Sequence, residues 1–151
     1  MKLAAAPSGP IAGVVAPSGF AWPLRVYWED TDAGGVVFYA NYLKFFERAR
    51  TEWLRAAGFE QQALRETEGG MFVVIEAALK YHRPARLDDQ LLVTTWMQAT
   101  SRVCMTIGQQ ARRGTRTDGE LLCDATIRIG WVQADSFKPT RIPSSIVKAL
   151  S

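Results

Sequence analysis

The segment EDTDAGG, residues 29–35, places three carboxylates directly before two glycines. A carboxylate can attack a carbonyl carbon or deprotonate a water molecule. Glycines lack Cβ, so Gly34 and Gly35 would let a ligand approach the backbone closely. The free N–H groups of a helix beginning after them could polarise a carbonyl oxygen. The motif is therefore either a catalytic turn or a solvated polar turn near a helix N-terminus.

Two other uses of the motif do not fit its spacing. A calcium loop opened by Asp30 and Asp32 would need a bidentate Glu where Asn41 stands. A dinucleotide-binding loop would need the G-x-G-x-x-G pattern, which is absent. The two cysteines, Cys104 and Cys123, lie outside any C-x-x-C or His-rich context. We therefore predict no metal site, no disulfide and a reduced, cytoplasmic setting.

The composition indicates one globular domain. With 151 residues and 48% hydrophobic content, the chain can bury one sizeable core. Its net charge of +3 is too low to predict nucleic acid as the main partner. Prolines and glycines interrupt the N-terminal segment, so we predict a flexible tail over residues 1–20 and a single domain over residues 21–151. No later segment has the ~18 apolar residues of a membrane span, so we expect no membrane insertion.

A strand before the motif and a long helix after it would position these residues. The aromatic and β-branched run predicts a strand over residues 22–28. Apolar side chains then recur every three or four residues, which predicts a helix ending near Gly58. Four more strands are predicted, over residues 71–83, 89–98, 102–113 and 119–132. This order predicts an α+β fold with one long central helix against a curved antiparallel sheet of about five strands.

The stretch RVYWEDTDAGGVVFYANY, which runs into FFERARTEWL, resembles the signature of the hotdog-fold 4-hydroxybenzoyl-CoA thioesterase family. It resembles in particular the YbgC-like acyl-CoA thioesterase branch, and later stretches such as KYHRPARLDDQLLV and DSFKPTRIP fit as well. The resemblance implies the hotdog fold, with subunits that pair their sheets edge to edge as a homodimer or homotetramer. It also implies hydrolysis of a short-chain acyl-CoA or an aroyl-CoA of the 4-hydroxybenzoyl type. No cofactor is implied beyond the coenzyme A of the substrate.

The same resemblance assigns roles to residues. The family's catalytic aspartate falls on Asp32, as nucleophile or general base. Its carbonyl-polarising backbone N–H falls on Tyr39, where many YbgC-like members have His. The cations that would contact the phosphates of coenzyme A fall on Arg102, Lys138 and Arg141. Acyl carrier protein is a further candidate partner.

Other interpretations stay open at the level of sequence. A hotdog dehydratase would recruit a His beside the carboxylate, and Tyr39 does not supply one. YbgC-like proteins also resemble accessories of the Tol-Pal envelope system, so the chain could bind acyl thioesters or envelope partners without turnover. His82, the only histidine, is predicted to lie outside the core. Glu47 is predicted to pair with Arg48 or Arg50 rather than to act as a second base.

Overall fold

The computed structural model describes residues 14–16 and 19–151. The strands, in chain order, are β1 (Val14–Ala16), β2 (Gly19–Arg25), β3 (Gly70–Tyr81), β4 (Gln90–Thr100), β5 (Cys104–Arg113) and β6 (Leu121–Gln133). The helices are α1 (Tyr42–Ala56), α2 (Gln61–Glu68) and α3 (Ser144–Leu150), with two short 3-10 helices, Trp28–Asp30 and Tyr39–Asn41. Most of the predicted tail, residues 1–13 and 17–18, lies outside the described residues. The rest of that segment contributes β1 and the start of β2.

The strands form one antiparallel sheet in the order β1-β2-β4-β5-β6-β3. Strands β4, β5 and β6 follow one another as neighbours, as their sequence predicts. Strand β3 instead lies at the far edge and pairs with β6 from Gly70↔Gln133 to Tyr81↔Cys123. The five long strands and the central helix confirm the predicted hotdog fold, and β1 adds a short sixth strand.

The core lies between α1 and one face of the sheet. The predicted stripe on α1 is buried, with Phe45, Phe46 and Ala49 fully inaccessible to solvent. The side chains of β6 alternate as predicted, so Cys123 and Ile127 face the helix while Thr126 and Arg128 are exposed. Burial of each large apolar side chain contributes about 1.5–3 kcal/mol, so this stripe fixes α1 across the sheet. Buried strand and helix positions of this kind form one continuous core.

Three local features differ from the sequence-based expectation. Strand β2 ends at Arg25, before the predicted end at residue 28, because the chain turns into a 3-10 helix at Trp28. Helices α2 and α3 were not predicted. Helix α2 buries only Leu64, so its sequence has no apolar stripe to mark it.

The two cysteines are free thiols, which confirms the prediction of no disulfide. Cys104 lies opposite Gly130 and Cys123 lies opposite Ala111, so they occupy distant parts of the β5–β6 pair. Burial, with a smaller contribution from Asp124, raises the pKa of the Cys123 thiol to about 12. None of the helices in the described part of the chain is long and apolar enough to cross a membrane.

Candidate active site

The three carboxylates of the motif have different environments. Glu29 and Asp32 are exposed, whereas Asp30 is 3% exposed. The Tyr27 N–H donates to Asp30 Oδ2 at 2.8 Å, and Asn41 Nδ2 donates to Asp30 Oδ1 at 2.9 Å. Asp30 therefore ties the turn that ends β2 to the residues that begin α1. It is a structural carboxylate, and only Asp32 among the two aspartates faces solvent.

Asp32 begins a tight hairpin turn that requires its glycines. The Gly35 N–H donates to the Asp32 carbonyl at 3.0 Å, and the Asp32 N–H donates to the Val36 carbonyl at 2.9 Å. Three loop residues closed in this way place the third in the left-handed region, where Gly35 has φ of +76°. A side chain at Gly35 would meet nothing within 4 Å, so glycine is needed there for its backbone conformation.

Gly34 holds the Asp32 carboxylate in place. Its N–H donates to Asp32 Oδ1 at 2.8 Å, and a Cβ on Gly34 would lie 3.2 Å from that same oxygen. Asp32 Oδ2 has no donor among the described residues. The sequence suggested that both glycines clear room for a ligand. The structure shows a further role, because the glycines shape the turn and orient one carboxylate, and Asp32 Oδ2 is left without a donor in the described part of the chain.

Tyr39 is the first residue of the 3-10 helix that leads into α1. The N–H of a first helical residue has no acceptor within its helix, so this donor can face a bound group. The Tyr39 carbonyl accepts a hydrogen bond of 2.8 Å from the Tyr81 hydroxyl at the end of β3. The two rings meet edge to face with centroids 6.4 Å apart. The candidate oxyanion donor is thus attached to the edge strand of the sheet.

An exposed aromatic surface surrounds the motif. Its members retain between 47% and 83% of their accessible area: Tyr27, Trp28, Phe38, Tyr39 and Tyr81. Exposed apolar patches of this kind mark binding sites for ligands or for other chains. The motif therefore sits in a surface that the single chain leaves uncovered.

The three predicted phosphate-binding residues lie at the opposite end of the sheet. The Arg102 carbonyl accepts from the Ile142 N–H at 2.9 Å, next to Arg141, and the Lys138 carbonyl accepts from the Gln133 N–H at 2.9 Å. These contacts place all three residues at the Gly70↔Gln133 end of the β3–β6 pair. The Tyr39 end is eleven residues further along β3, about 35 Å at ~3.3 Å per residue. One chain alone therefore does not bring the two groups together.

Arg141 lines a groove of about 530 Å³ that also contains Arg65 of α2. Sequence reasoning missed Arg65, because α2 was not predicted and its position beside the C-terminal loop depends on tertiary packing. Its lining also includes Glu68 and Asp135, so two cations and two carboxylates balance in charge, and the groove is not selective for an anion.

A second cavity, of about 230 Å³, lies between α1 and strands β3, β5 and β6. Most of its walls are apolar, and Glu47 and Arg50 of α1 supply its charges. Arg50 donates to Gln109 Oε1 at 2.9 Å, and the fully buried Gln109 donates to the Phe46 carbonyl and to Thr95 Oγ1.

Arg50 is therefore fixed by a neutral side chain. Burial lowers the pKa of its guanidinium, although the charge of Glu47 acts in the opposite direction. Among the described residues, Glu47 has no salt bridge within 4 Å to Arg48 or Arg50, and the predicted pairing with Arg50 is reduced to a longer-range attraction between the two charges. Arg50 instead points a desolvated positive charge toward the cavity wall.

His82 lies outside the core, as the sequence predicts. Its Nε2 is 2.5 Å from Asp124 Oδ2, and both side chains are more than a third exposed. The alternation along β3 places this pair on the face of the sheet that points away from α1. Within residues 19–151, no group of three or more His, Cys, Asp or Glu side chains could hold a metal ion.

A long helix wrapped by a curved antiparallel sheet is the hotdog architecture, and the exposed Asp32 carboxylate lies on the loop that leads into that helix. The sequence profile of the thioesterase superfamily matches residues 34–120. The acyl-CoA thioesterase YbgC of Haemophilus influenzae is 42% identical over 87% of this chain and 94% of its own length. The acyl-CoA thioester hydrolase YbgC of Escherichia coli is 44% identical over 85% of this chain and 92% of its own length.

Solved structures agree with these sequence relatives. The crystal structure of a probable thioesterase from Bartonella henselae superposes with a TM-score of 0.76 at 34% identity. The match covers 82% of this chain and 98% of that chain. The chain therefore belongs to the thioesterase superfamily, and it is a YbgC-like thioester hydrolase.

Proposed function

We propose that this protein hydrolyses acyl-CoA thioesters with Asp32 as nucleophile or general base. The observation that carries the proposal is the Asp32 carboxylate, which is exposed and oriented by the Gly34 N–H at 2.8 Å. The reaction uses this carboxylate, a backbone donor and water, and coenzyme A enters as part of the substrate. The names of the YbgC relatives support this substrate class.

The Tyr39 N–H supplies the second catalytic group. Its position at the start of a helix lets it donate to the thioester carbonyl oxygen as negative charge develops there. A single donor of this kind contributes about 10²–10³-fold to rate in other hydrolases. The hydrogen bond from Tyr81 fixes the peptide on its carbonyl side, which keeps the donor oriented before substrate arrives.

We propose further that a second copy of the chain completes the site. Strand β3 is a twelve-residue edge strand, and Val74 and Ile75 near its middle are 54% and 50% exposed. A long edge strand with exposed apolar side chains readily pairs with another strand. Antiparallel pairing of β3 with the same strand of a second chain would extend the sheet across a two-fold axis.

This pairing would bring together the catalytic residues and the phosphate-binding cations, which lie at opposite ends of the sheet in one chain. If the axis passes near the middle of β3, the Tyr81 end of one chain lies beside the Gly70 end of its partner. Asp32 and Tyr39 of one chain then approach the cations Arg102, Lys138 and Arg141 of the other. The dimer is the smallest assembly that contains a complete site, and a tetramer would be built from such dimers.

The same pairing brings the cavity beside Arg50 toward the partner's Tyr39. Its volume of about 230 Å³ exceeds the roughly 150 Å³ of an engineered cavity that holds benzene. It can therefore accept a short acyl chain or a single substituted ring, and it is too small for a palmitoyl chain. We propose that short-chain acyl and hydroxybenzoyl groups are the preferred substrates.

The test is release of free thiol across a panel from acetyl-CoA to palmitoyl-CoA, with hydroxybenzoyl-CoA included. Asp32→Asn should keep the fold and the oligomeric state while thiol release falls by about 10²–10⁴-fold. Glu29→Gln, which changes an equally exposed neighbour, is the matched control and should keep its activity. Wild-type rates in Asp32→Asn across the panel would exclude the mechanism. Binding of acyl-CoA by the wild type without thiol release would favour a binding protein instead.

A further inference from the structure

Three backbone segments beside the motif form a small antiparallel ladder. Thr31 pairs with Val37, and Val36 pairs with Arg86. The Asp32 N–H donates to the Val36 carbonyl at 2.9 Å. The ladder therefore places Asp32, Val36 and Arg86 in one row, although Arg86 is more than fifty residues from Asp32 in the chain.

Direct cross-strand partners in a ladder share one face, and the next rung faces the other way. Val37 and Ala85, on the adjacent rung, are 6% and 0% exposed and face the core. The row that contains Asp32 and Arg86 therefore faces outward, and both of these side chains are exposed. Each cross-strand step separates Cβ atoms by about 5 Å, so about 10 Å separates the two residues across Val36.

The guanidinium of Arg86 differs from those of the arginines around it. Arg25 donates to the Asp88 carbonyl, Arg83 is 3.7 Å from Glu120, and Arg113 binds Asp89, Glu120 and the Pro84 carbonyl. Within the described residues, the Arg86 side chain has no hydrogen bond or salt bridge. Its main chain is bound instead: the Arg86 N–H donates to Asp89 Oδ2 at 2.8 Å, and the Arg86 carbonyl accepts from the Asp89 N–H at 3.1 Å.

The main-chain hydrogen bonds therefore fix the position of Arg86, while its guanidinium has no partner among the described residues. Val37 donates to the Ala85 carbonyl at 2.8 Å, so the segment that carries Arg86 is fastened to the catalytic loop itself. A long side chain that starts two strands away in the same row can reach over Val36 toward a group bound at Asp32. Solvent screens this charge in the free chain, and a bound substrate that excludes water would strengthen its effect.

We propose that Arg86 is a further catalytic residue, whose guanidinium stabilises the sulfur of the leaving group as the thioester is cleaved. This proposal rests on the proposed function, because it needs a thioester carbonyl carbon beside Asp32. The developing negative charge on the carbonyl oxygen already has the Tyr39 N–H as a donor. The departing sulfur is the other atom of the reacting group that gains charge.

The step balances without any further reactant. Asp32 accepts a proton from water, whose oxygen adds to the carbonyl carbon, or Asp32 adds directly and the resulting anhydride is later hydrolysed. In either route the C–S bond breaks and its electron pair goes to sulfur. The thiolate then takes up a proton from Asp32 or from solvent. Arg86 transfers no proton, and its role is to lower the energy of the thiolate as it forms.

The position of Arg86 favours the sulfur over the phosphates of coenzyme A. The long pantetheine arm separates the thioester from the phosphates, whereas Arg86 is only about 10 Å from Asp32 at the level of Cβ. In the proposed dimer, the phosphates are assigned to Arg102, Lys138 and Arg141 of the partner chain. A contact with the sulfur matters only in the transition state, so it should change kcat more than KM.

The experiment compares two thioesters of the same acyl group. One is the CoA ester, whose alkyl thiolate is a poor leaving group. The other is a nitrothiophenyl ester, whose thiolate is stable without help. Arg86→Gln should lower kcat about 10–100-fold on the CoA ester, as expected for loss of a contact to a charged group. On the nitrothiophenyl ester the loss should be several-fold smaller, and Arg86→Lys should restore part of the rate on the CoA ester.

Arg83→Gln is the matched control, because Arg83 is an exposed arginine of the same segment that pairs with Glu120. It should keep wild-type rates on both esters. Equal losses on the two esters in Arg86→Gln, or no loss on either, would overturn the proposal. If wild-type protein cleaves the CoA ester and Asp32→Asn does not, such a result rejects only the role of Arg86. If the wild type cleaves neither ester, the proposed function fails together with this inference.

Discussion

Asp30 and Asp32 are one residue apart and have opposite environments. The Asp30 side chain is buried, and each of its oxygens accepts one hydrogen bond. The Asp32 side chain is exposed and accepts one hydrogen bond, from Gly34. The 3-10 geometry at the end of β2 turns Asp30 inward, so Asp30 anchors the loop while Asp32 faces solvent.

The first prediction at this scale concerns Asp30→Asn. The new NH₂ group would face either the Tyr27 N–H or the Asn41 side-chain NH₂, and both are donors. One buried donor would lose its acceptor, which costs about 1–3 kcal/mol of unfolding free energy. Urea unfolding should show a lower midpoint with an unchanged slope. Asp32→Asn is the matched control and should stay within about 0.5 kcal/mol of the wild type. Equal midpoints for the two variants would contradict this division of roles.

The second prediction concerns the thiols. The thiolate is the reactive form of cysteine, and burial raises the pKa of Cys123 to about 12. At pH 8 a disulfide reagent should modify only Cys104 in the native protein, and both thiols after unfolding. The thiolate of Cys123 should become significant only as the pH rises toward 12. Titration of two thiols in the native protein at pH 8 would show that Cys123 is not enclosed.

At the scale of elements, the turn between Asp32 and Val36 determines where the carboxylate points. We expect Gly35→Ala to cost about 1–2 kcal/mol of stability, because φ of +76° brings Cβ too close to the backbone. It should also lower thiol release, since relaxation of the turn moves Asp32. Gly58→Ala is the matched control, because Gly58 has φ of +97° after α1 and lies outside the motif. Thermal unfolding and kcat should separate the two variants, and equal activity in both would reject the effect on Asp32.

The sequence predicted elements whose apolar pattern is local and strong. Helix α1 and strands β3 to β6 follow from periodicity, and the α1 boundary follows from Gly58. Helix α3 buries Ile146 and Leu150 only after the C-terminal segment folds back on the core, so its seven residues carry too short a pattern. The pairing of β3 with β6 joins segments that are about fifty residues apart, and local pattern contains no information about such partners.

Some residues of the candidate site could likewise be predicted from the sequence, and others could not. The motif points to Asp32 and Tyr39 because their spacing is local, and their roles stay predictions. The buried hydrogen bond between Asp30 and Asn41 was missed, because it joins a turn to a helix start eleven residues away and no local pattern marks it. Arg86 was missed as well, since it joins the motif through a bridge to Val36. No periodic signal could have revealed contacts that form between loops.

At the scale of the whole molecule, the motif and Arg141 lie near opposite ends of β3, which are about 35 Å apart along the strand, so the proposed site combines two chains. We predict that Asp32→Asn and Arg141→Ala complement each other. A mixed dimer would contain one site with both changes and one site with neither. Random exchange of equal amounts should restore about a quarter of the wild-type sites. Thiol release at subsaturating acyl-CoA measures the recovery.

The control for that mixture is Asp32→Asn exchanged with Glu29→Gln, whose two changes lie in the same half of each site. The measured rate of the complementing mixture should exceed the mean of its two parent variants. A rate equal to that mean would show that Asp32 and Arg141 of the same chain serve one substrate.

The hydrogen bond of 2.8 Å from Tyr81 to the Tyr39 carbonyl connects the outermost strand to the peptide that would grip the thioester. Pairing of a second chain along β3 would therefore restrict the motion of Tyr81 and of the Tyr39 peptide. In an isolated chain, β3 would lack that partner. Because the fraction of chains in dimers rises with protein concentration, the rate of thioester hydrolysis per chain would rise with it. At low enzyme concentration, few acyl-CoA thioesters would be hydrolysed. Doubling the enzyme concentration would more than double the rate of thioester hydrolysis.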